Sequence, residues 1–131
     1  MKEFLVQRLA QINQGEILSA SYYAQLNSAA MLDARDKDDA FALAWQSAFD
    51  AVEPAWQAQT SAELDALILE IRKASFLLVG RASTQKEIAS YVSDDMELLT
   101  KAQALQLDLP WLARLWQCYQ AGRFPDPDSL I

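Results

Sequence analysis

The most apolar stretch of the chain, residues 61–80, has hydrophobic side chains at helical spacing. One face of such a helix collects the side chains that recur every three or four residues: Leu64, Leu67, Ile68, Ile71, Ala74 and Leu78. Leu69 and Phe76 fall together on a different face. Because two apolar faces require two sets of neighbours, we expect residues 61–79 to form the central helix of an all-helical domain.

Capping signals predict where this helix and the next one begin and end. Thr60 and Glu63 have the spacing of a capping box, and Gly80 has the character of a C′ residue. Thr84 and Glu87 form a second capping box, which predicts the start of another helix.

The same periodicity predicts helices on both sides of the central one. Before it, we expect helices over residues 2–13 and about 16–34, and a third helix with an aromatic stripe. The stripe consists of Phe41, Trp45, Phe49, Val52 and Trp56. Pro54 interrupts it, so that either one helix continues with a kink or a second helix begins there.

After the central helix, the pattern predicts a helical region as far as about residue 105, interrupted near residues 93–95. The last helix follows Asp108 and ends at Gly122. The fold class is therefore all-α, a single-domain bundle of about five to six helices over residues 1–123. Residues 124–131 alternate proline with acidic residues and predict an extended tail, with Phe124 contacting the body of the domain.

The charge of the chain narrows the classes of partner. Eleven basic and 18 acidic residues give a net charge of −7, and the isoelectric point is about 4.4. Such a chain is repelled by nucleic acid and by anionic membranes, and it favours a basic protein partner. The single cysteine, Cys118, cannot form an internal disulfide, and no stretch resembles a signal peptide or a membrane span, so we expect a cytoplasmic protein.

The residues that usually carry catalysis or bind metals are largely missing. The chain contains no histidine, which removes the commonest general base and the imidazole metal ligand. One cysteine cannot build a zinc site, and the three glycines are isolated and do not form a phosphate-binding loop. We therefore expect no catalytic residue, no metal and no cofactor.

Two acidic clusters are the candidate contact residues for a basic partner. Their neighbours are polar, which predicts solvated, ionised carboxylates rather than catalytic ones. The candidate residues are Asp33, Asp36, Asp38 and Asp39 in the first cluster and Asp94, Asp95 and Glu97 in the second. We expect the first cluster, within residues 33–39, to form a short connection whose last aspartates cap the next helix.

These observations favour a non-enzymatic, acidic protein-binding domain. A small acidic protein of this kind has the physical character of an immunity or antitoxin-type inhibitor, which neutralises a basic toxin. The alternative is a helical sensor or carrier of small molecules, with an aromatic pocket beside Trp45 and Trp116. A homodimer that buries the second apolar face of the central helix also remains open.

Overall fold

The computed structural model describes residues 1–130, which form seven α-helices, one short 3₁₀ helix and no strand. The α-helices are α1 (Lys2–Asn13), α2 (Ala20–Gln25), α3 (Ser28–Lys37), α4 (Asp39–Gln59), α5 (Ala62–Ala82), α6 (Lys86–Ala104) and α7 (Pro110–Gln120). The predicted all-α bundle is confirmed. No helix within residues 1–130 is long and apolar enough to cross a membrane.

The helix count exceeds the prediction because the helix expected over residues 16–34 is two helices. Ser19 caps α2 by accepting a hydrogen bond from the backbone N–H of Tyr22. Asn27 caps α3 in the same way, through the backbone N–H of Ala30. Short polar side chains such as these compete for backbone N–H groups, so each of them starts a new helix here instead of continuing one.

The acidic cluster that was expected to be a connection is mostly helical. Asp33 and Asp36 lie within α3, and only Asp38 separates α3 from α4. The Asp38 Oδ1 atom accepts a hydrogen bond of 2.8 Å from the backbone N–H of Phe41, which confirms that an aspartate of this cluster caps the next helix. Helix α4 then continues without a break through Pro54.

The ends of α5 differ from the predicted ones. Ser61, not Thr60, caps the helix, and its hydroxyl accepts from the backbone N–H of Leu64. The Thr60 hydroxyl instead donates to Asp65 Oδ1 at 2.7 Å. Gly80 is buried inside the helix, which continues to Ala82, so the expected C′ role is wrong. A Cβ built on Gly80 would lie 3.6 Å from the Ala89 side chain, so this glycine is in contact with α6.

Helix α6 is the most completely buried element, and α5 packs along it as well as against α1 and α2. Helix α6 is continuous, without the interruption expected near residues 93–95. The start of α6 has no side-chain cap, so the predicted box of Thr84 and Glu87 does not form. The second apolar face of α5 stays in contact with solvent, since Leu69 is 64% exposed and Phe76 39%.

The C-terminal segment is anchored to the bundle. Gly122 ends α7 with a φ of +76°, the left-handed conformation that favours glycine. Phe124 is fully buried, as expected, and its backbone N–H donates to the Tyr22 hydroxyl at 3.0 Å. A 3₁₀ helix over Asp128–Leu130 follows. Ile131, the last residue of the predicted tail, lies outside the described residues.

Candidate functional site: an acidic and aromatic groove

A groove crosses α3, α4, α5 and α6, where three adjoining clefts share the side chain of Trp45. We call it the Trp45 groove. Its aromatic residues are Phe41, Trp45, Phe49 and Tyr91. Its solvent-accessible carboxylates are Asp36, Glu53, Asp94 and Glu97. The groove therefore brings together residues of both acidic clusters and of the aromatic stripe.

Trp45 is held in place by a hydrogen bond and by a ring stack. Its indole Nε1 donates a hydrogen bond of 3.0 Å to Asp95 Oδ1. Its ring stacks on Phe49, with 5.8 Å between the centroids and 12° between the planes. Phe49 itself is 36% exposed. The two rings form an apolar surface that solvent, or a partner, can reach.

Beneath Trp45, the carboxylate of Asp95 is fully buried and hydrogen-bonded at both oxygens. Two N–H groups of Arg35 reach it at 2.8 Å and 3.1 Å, and the Tyr119 hydroxyl donates to Oδ2 at 2.6 Å. Burial and the neighbouring negative charge of Asp95 raise the pKa of Tyr119 well above its ordinary value. Asp95 is thus an internal structural carboxylate.

The expectation that Asp95 is a solvated contact residue is therefore wrong. The physical reason is its place on the inward face of α6, in phase with Val92, Met96 and Leu99, all of which are buried. That spacing was visible in the sequence and would have placed Asp95 in the core. Its partner Arg35, 60 residues away in the sequence, carried no such signal.

The Arg35 guanidinium links the buried carboxylate to the groove wall. Its Cζ atom lies 4.5 Å from the ring centroid of Phe41, 5.0 Å from that of Tyr91 and 4.9 Å from that of Phe124. Phe41 and Tyr91 line the groove, whereas Phe124 belongs to the anchored C-terminal segment. The Arg35–Asp95 pair therefore supports three aromatic side chains of the groove, Trp45 included.

Asp94 and Glu97 lie at the surface, as expected, but both are paired within the chain. Arg72 donates to Glu97 at 2.7 Å and to Asp94 at 2.9 Å. Lys101 donates to Glu97 at 2.6 Å and to Glu53 at 2.8 Å. Burial opposes the charge of Lys101, yet the hydrogen bonds that it donates to the two glutamates raise the pKa of its ammonium group. This part of the groove is a ladder of alternating charges.

The first acidic cluster has fewer ion pairs with lysine or arginine than the second cluster. Asp33 pairs with the lysine one turn later, at 2.8 Å. Asp36 accepts a hydrogen bond from the Tyr91 hydroxyl, which is the main reason why the pKa of Tyr91 rises to about 12. Among residues 1–130, no lysine or arginine forms an ion pair with Asp36, Asp38 or Asp39. Their negative charge therefore faces solvent at the α3–α4 junction.

The sequence predictions did not include the cations of the groove. Arg35, Arg72 and Lys101 each bind carboxylates that come from other parts of the chain or from the facing helix. No local pattern identifies such partners, because the contacts depend on how α3, α4, α5 and α6 pack together. Phe49, a member of the predicted aromatic stripe, is partly exposed in the groove.

The second tryptophan of the proposed aromatic pocket belongs to a different cleft. Trp116, on α7, lines a cleft between α6 and α7, and the Arg8 guanidinium lies over its ring at 4.1 Å from the centroid. Arg8 also donates to Thr100 at 3.1 Å, and burial lowers its pKa to about 10. Trp45 and Trp116 thus line separate clefts. Within residues 1–130, no three Cys, Asp or Glu side chains are grouped so that they could hold a metal ion.

The sequence matches the family model described as "Immunity protein PIM1" over residues 8–126. The matched span extends from α1 to the C-terminal segment and includes every residue of the Trp45 groove. No curated protein matches the sequence.

Proposed function

This chain belongs to the PIM1 immunity protein family, and we propose that it neutralises a toxin by covering a basic surface of that toxin with the Trp45 groove. An immunity-type protein implies a partner toxin as its target. Beyond that, we propose that the target is basic and that this groove binds it.

The observation that carries the proposal is the combination of accessible aromatic rings and excess negative charge in one groove. Its lining contains five carboxylates and three cations. Asp39, which has no ion-pair partner among residues 1–130, comes two residues before the groove residue Phe41. Aromatic side chains are enriched in the centres of protein interfaces. Complementary charge speeds encounter and suppresses wrong partners, so this groove suits a basic protein surface.

We propose that inhibition works by binding and not by catalysis. The chain lacks histidine, and Asp94, Glu97 and Glu53 are each engaged by Arg72 or Lys101. The ion pair with Lys101 lowers the pKa of Glu53, although burial acts in the opposite direction. A carboxylate held ionised in this way is a poor proton donor at neutral pH.

The exposed face of α5 extends the proposed interface. Leu69, Arg72 and Phe76 share one helical face, and Arg72 lines the groove. We propose that the toxin covers this apolar face together with the groove, in place of a second copy of the chain. We further propose that the encounter takes place in the cytoplasm, where Cys118 would remain an unpaired, buried thiol.

Affinity capture followed by a growth assay tests the proposal. The immobilised chain is incubated at low salt with a lysate of the native host, and the captured protein is identified and cloned. We expect a basic protein that stops growth when it is expressed alone and is tolerated when this chain is co-expressed.

Two charge variants locate the interface. Asp36→Lys combined with Asp39→Lys should abolish protection, whereas Asp38 is left intact because it caps α4. Asp108→Lys, which changes an exposed acid outside the groove, is the matched control and should still protect. Full protection by the double variant, or a captured toxin that is itself acidic, would contradict the proposal.

A further inference from the structure

We propose that the Trp45 groove receives an arginine side chain of the toxin, with the guanidinium against the Trp45 ring and facing the carboxylates of Asp36 and Asp94. This inference rests on the proposed function and deepens it, because it names the chemical group that the groove recognises. Three observations support it: unused hydrogen-bond acceptors, the size of the cleft, and the chemistry of the aromatic wall.

The first observation is that two carboxylates of the groove each keep an oxygen unused. Asp94 accepts from Arg72 through Oδ1, and no donor among residues 1–130 reaches its Oδ2. Asp36 accepts from Tyr91 through Oδ1, and its Oδ2 is equally unoccupied by donors of the described chain. The Asp94 side chain is 47% exposed. A cation entering between the two adjoining clefts therefore finds an unused carboxylate oxygen in each of them, without displacing an internal bond.

The second observation is the size of the space. The cleft that Trp45, Tyr91 and Asp94 line has a volume of about 180 Å³, and the adjoining cleft, which Trp45, Tyr91 and Asp36 line, has a volume of about 260 Å³. Sites for drug-sized molecules usually measure roughly 300–1,000 Å³. A cleft this small suits a single side chain that projects from a larger partner.

The third observation favours arginine over lysine. A guanidinium is planar, stacks on aromatic faces and donates to two carboxylates at once, whereas an ammonium is a compact, strongly hydrated charge. The chain already holds its own Arg35 in this manner, between aromatic rings and against a carboxylate.

Arg35 also lines the cleft, but its charge does not oppose a second guanidinium strongly. Both oxygens of Asp95 accept from it, and its side chain is only 7% exposed. The net charge of the groove lining, with five carboxylates against three cations, remains negative. The groove therefore attracts a further cation.

A titration of the protein with model amides tests this inference without the toxin. N-acetyl-arginine amide is added while the indole N–H resonance of Trp45, assigned with Trp45→Phe, is followed by NMR. We expect a saturable shift with a Kd of about 1–10 mM, the range for one small contact. The lysine amide should bind more weakly, and the citrulline amide, which has the same shape without the charge, should not shift the resonance.

Variants decide whether the binding occurs at the proposed place. Asp94→Asn and Asp36→Asn should each weaken binding by about two- to fivefold, as expected for exposed ion pairs. Asp108→Asn, outside the groove, should bind like the wild type. Circular dichroism confirms that each variant is folded.

Equal shifts with the arginine and citrulline amides, equal binding of lysine and arginine, or unchanged affinity in Asp94→Asn would overturn the inference. Its failure differs from a failure of the proposed function. If the arginine amide does not bind while the double lysine variant still abolishes protection, the groove binds the toxin through other groups. If the double variant protects normally, the proposed function itself fails.

Discussion

Replacing Asp95 with asparagine should destabilise the protein by about 3–5 kcal/mol, the usual cost of removing one partner of a buried ion pair. The structure explains the size of this effect. Asparagine keeps an oxygen for the Trp45 indole, but its NH₂ group would face donors of Arg35 and Tyr119. The Arg35 guanidinium would then remain buried without a counter-charge. Domains of this size are stable by roughly 5–15 kcal/mol, so a large share of the stability is lost.

Urea unfolding, followed by tryptophan fluorescence and by circular dichroism, measures the effect. The matched control is the neighbouring change, Asp94→Asn. The Asp94 side chain is 47% exposed and pairs with Arg72 at the surface, so this variant should lose less than about 1 kcal/mol. The two variants make the same chemical change at adjacent positions and differ only in burial and partners.

A double-mutant cycle separates the ion pair from the rest of the network. Arg35→Met combined with Asp95→Asn removes both charges, so it should be less destabilised than the sum of the two single variants. If Asp95→Asn unfolds within about 1 kcal/mol of Asp94→Asn, the reasoning about the buried carboxylate is refuted. Strict additivity in the cycle would refute the coupling between Arg35 and Asp95.

The remaining predictions concern two glycines, the contact between Asp36 and Tyr91, and the cap of α4. Gly80→Ala should stabilise the protein by about 0.5–1 kcal/mol, because Gly80 is inside a helix with room for a methyl group. Gly122→Ala, at positive φ, should destabilise it by about 1–2 kcal/mol. Thermal melting shows whether the melting temperature rises in the first variant and falls in the second. Asp36→Asn should return the pKa of Tyr91 from about 12 towards 10.0, measured by phenolate absorbance. Because the pKa is raised in the fold, the stabilisation from this contact is complete below pH 10 and is lost as the pH rises towards 12. Asp38→Ala should cost about 1 kcal/mol by removing the cap of α4, and Asp38→Asn should restore most of it.

Local signals were sufficient to predict much of the fold. Helical spacing predicted α1 and α7, and Gly122 was correctly identified as a terminator because its need for positive φ is a property of the residue itself. One error occurred where two neighbouring residues could serve the same role. Thr60 and Ser61 are both good N-caps, but Ser61 accepts from the backbone N–H of Leu64, whereas the Thr60 hydroxyl donates to Asp65. Gly80 resembled a terminator but lies inside α5, where it faces α6.

The groove could be predicted only in part. Asp36 and Asp94 were identified by composition and lie where a partner can reach them. Asp95 was assigned to the same surface, because a run of acids suggests solvent more strongly than one inward position suggests burial. The pairing of Asp95 with Arg35 and Trp45 arises from the packing of α3 and α4 against α6, which no local pattern contains.

The central claim is that the acidic Trp45 groove binds a basic toxin, and the association rate with the captured toxin tests it most directly. The rate is measured at low and high salt for the wild type, for Asp36→Lys with Asp39→Lys, and for Asp108→Lys. We expect the double variant to associate roughly tenfold or more slowly than the wild type at low salt, high salt to slow the wild type by a similar factor, and the control to behave like the wild type. Equal rates for the double variant and the control, with no dependence on salt, would contradict the account.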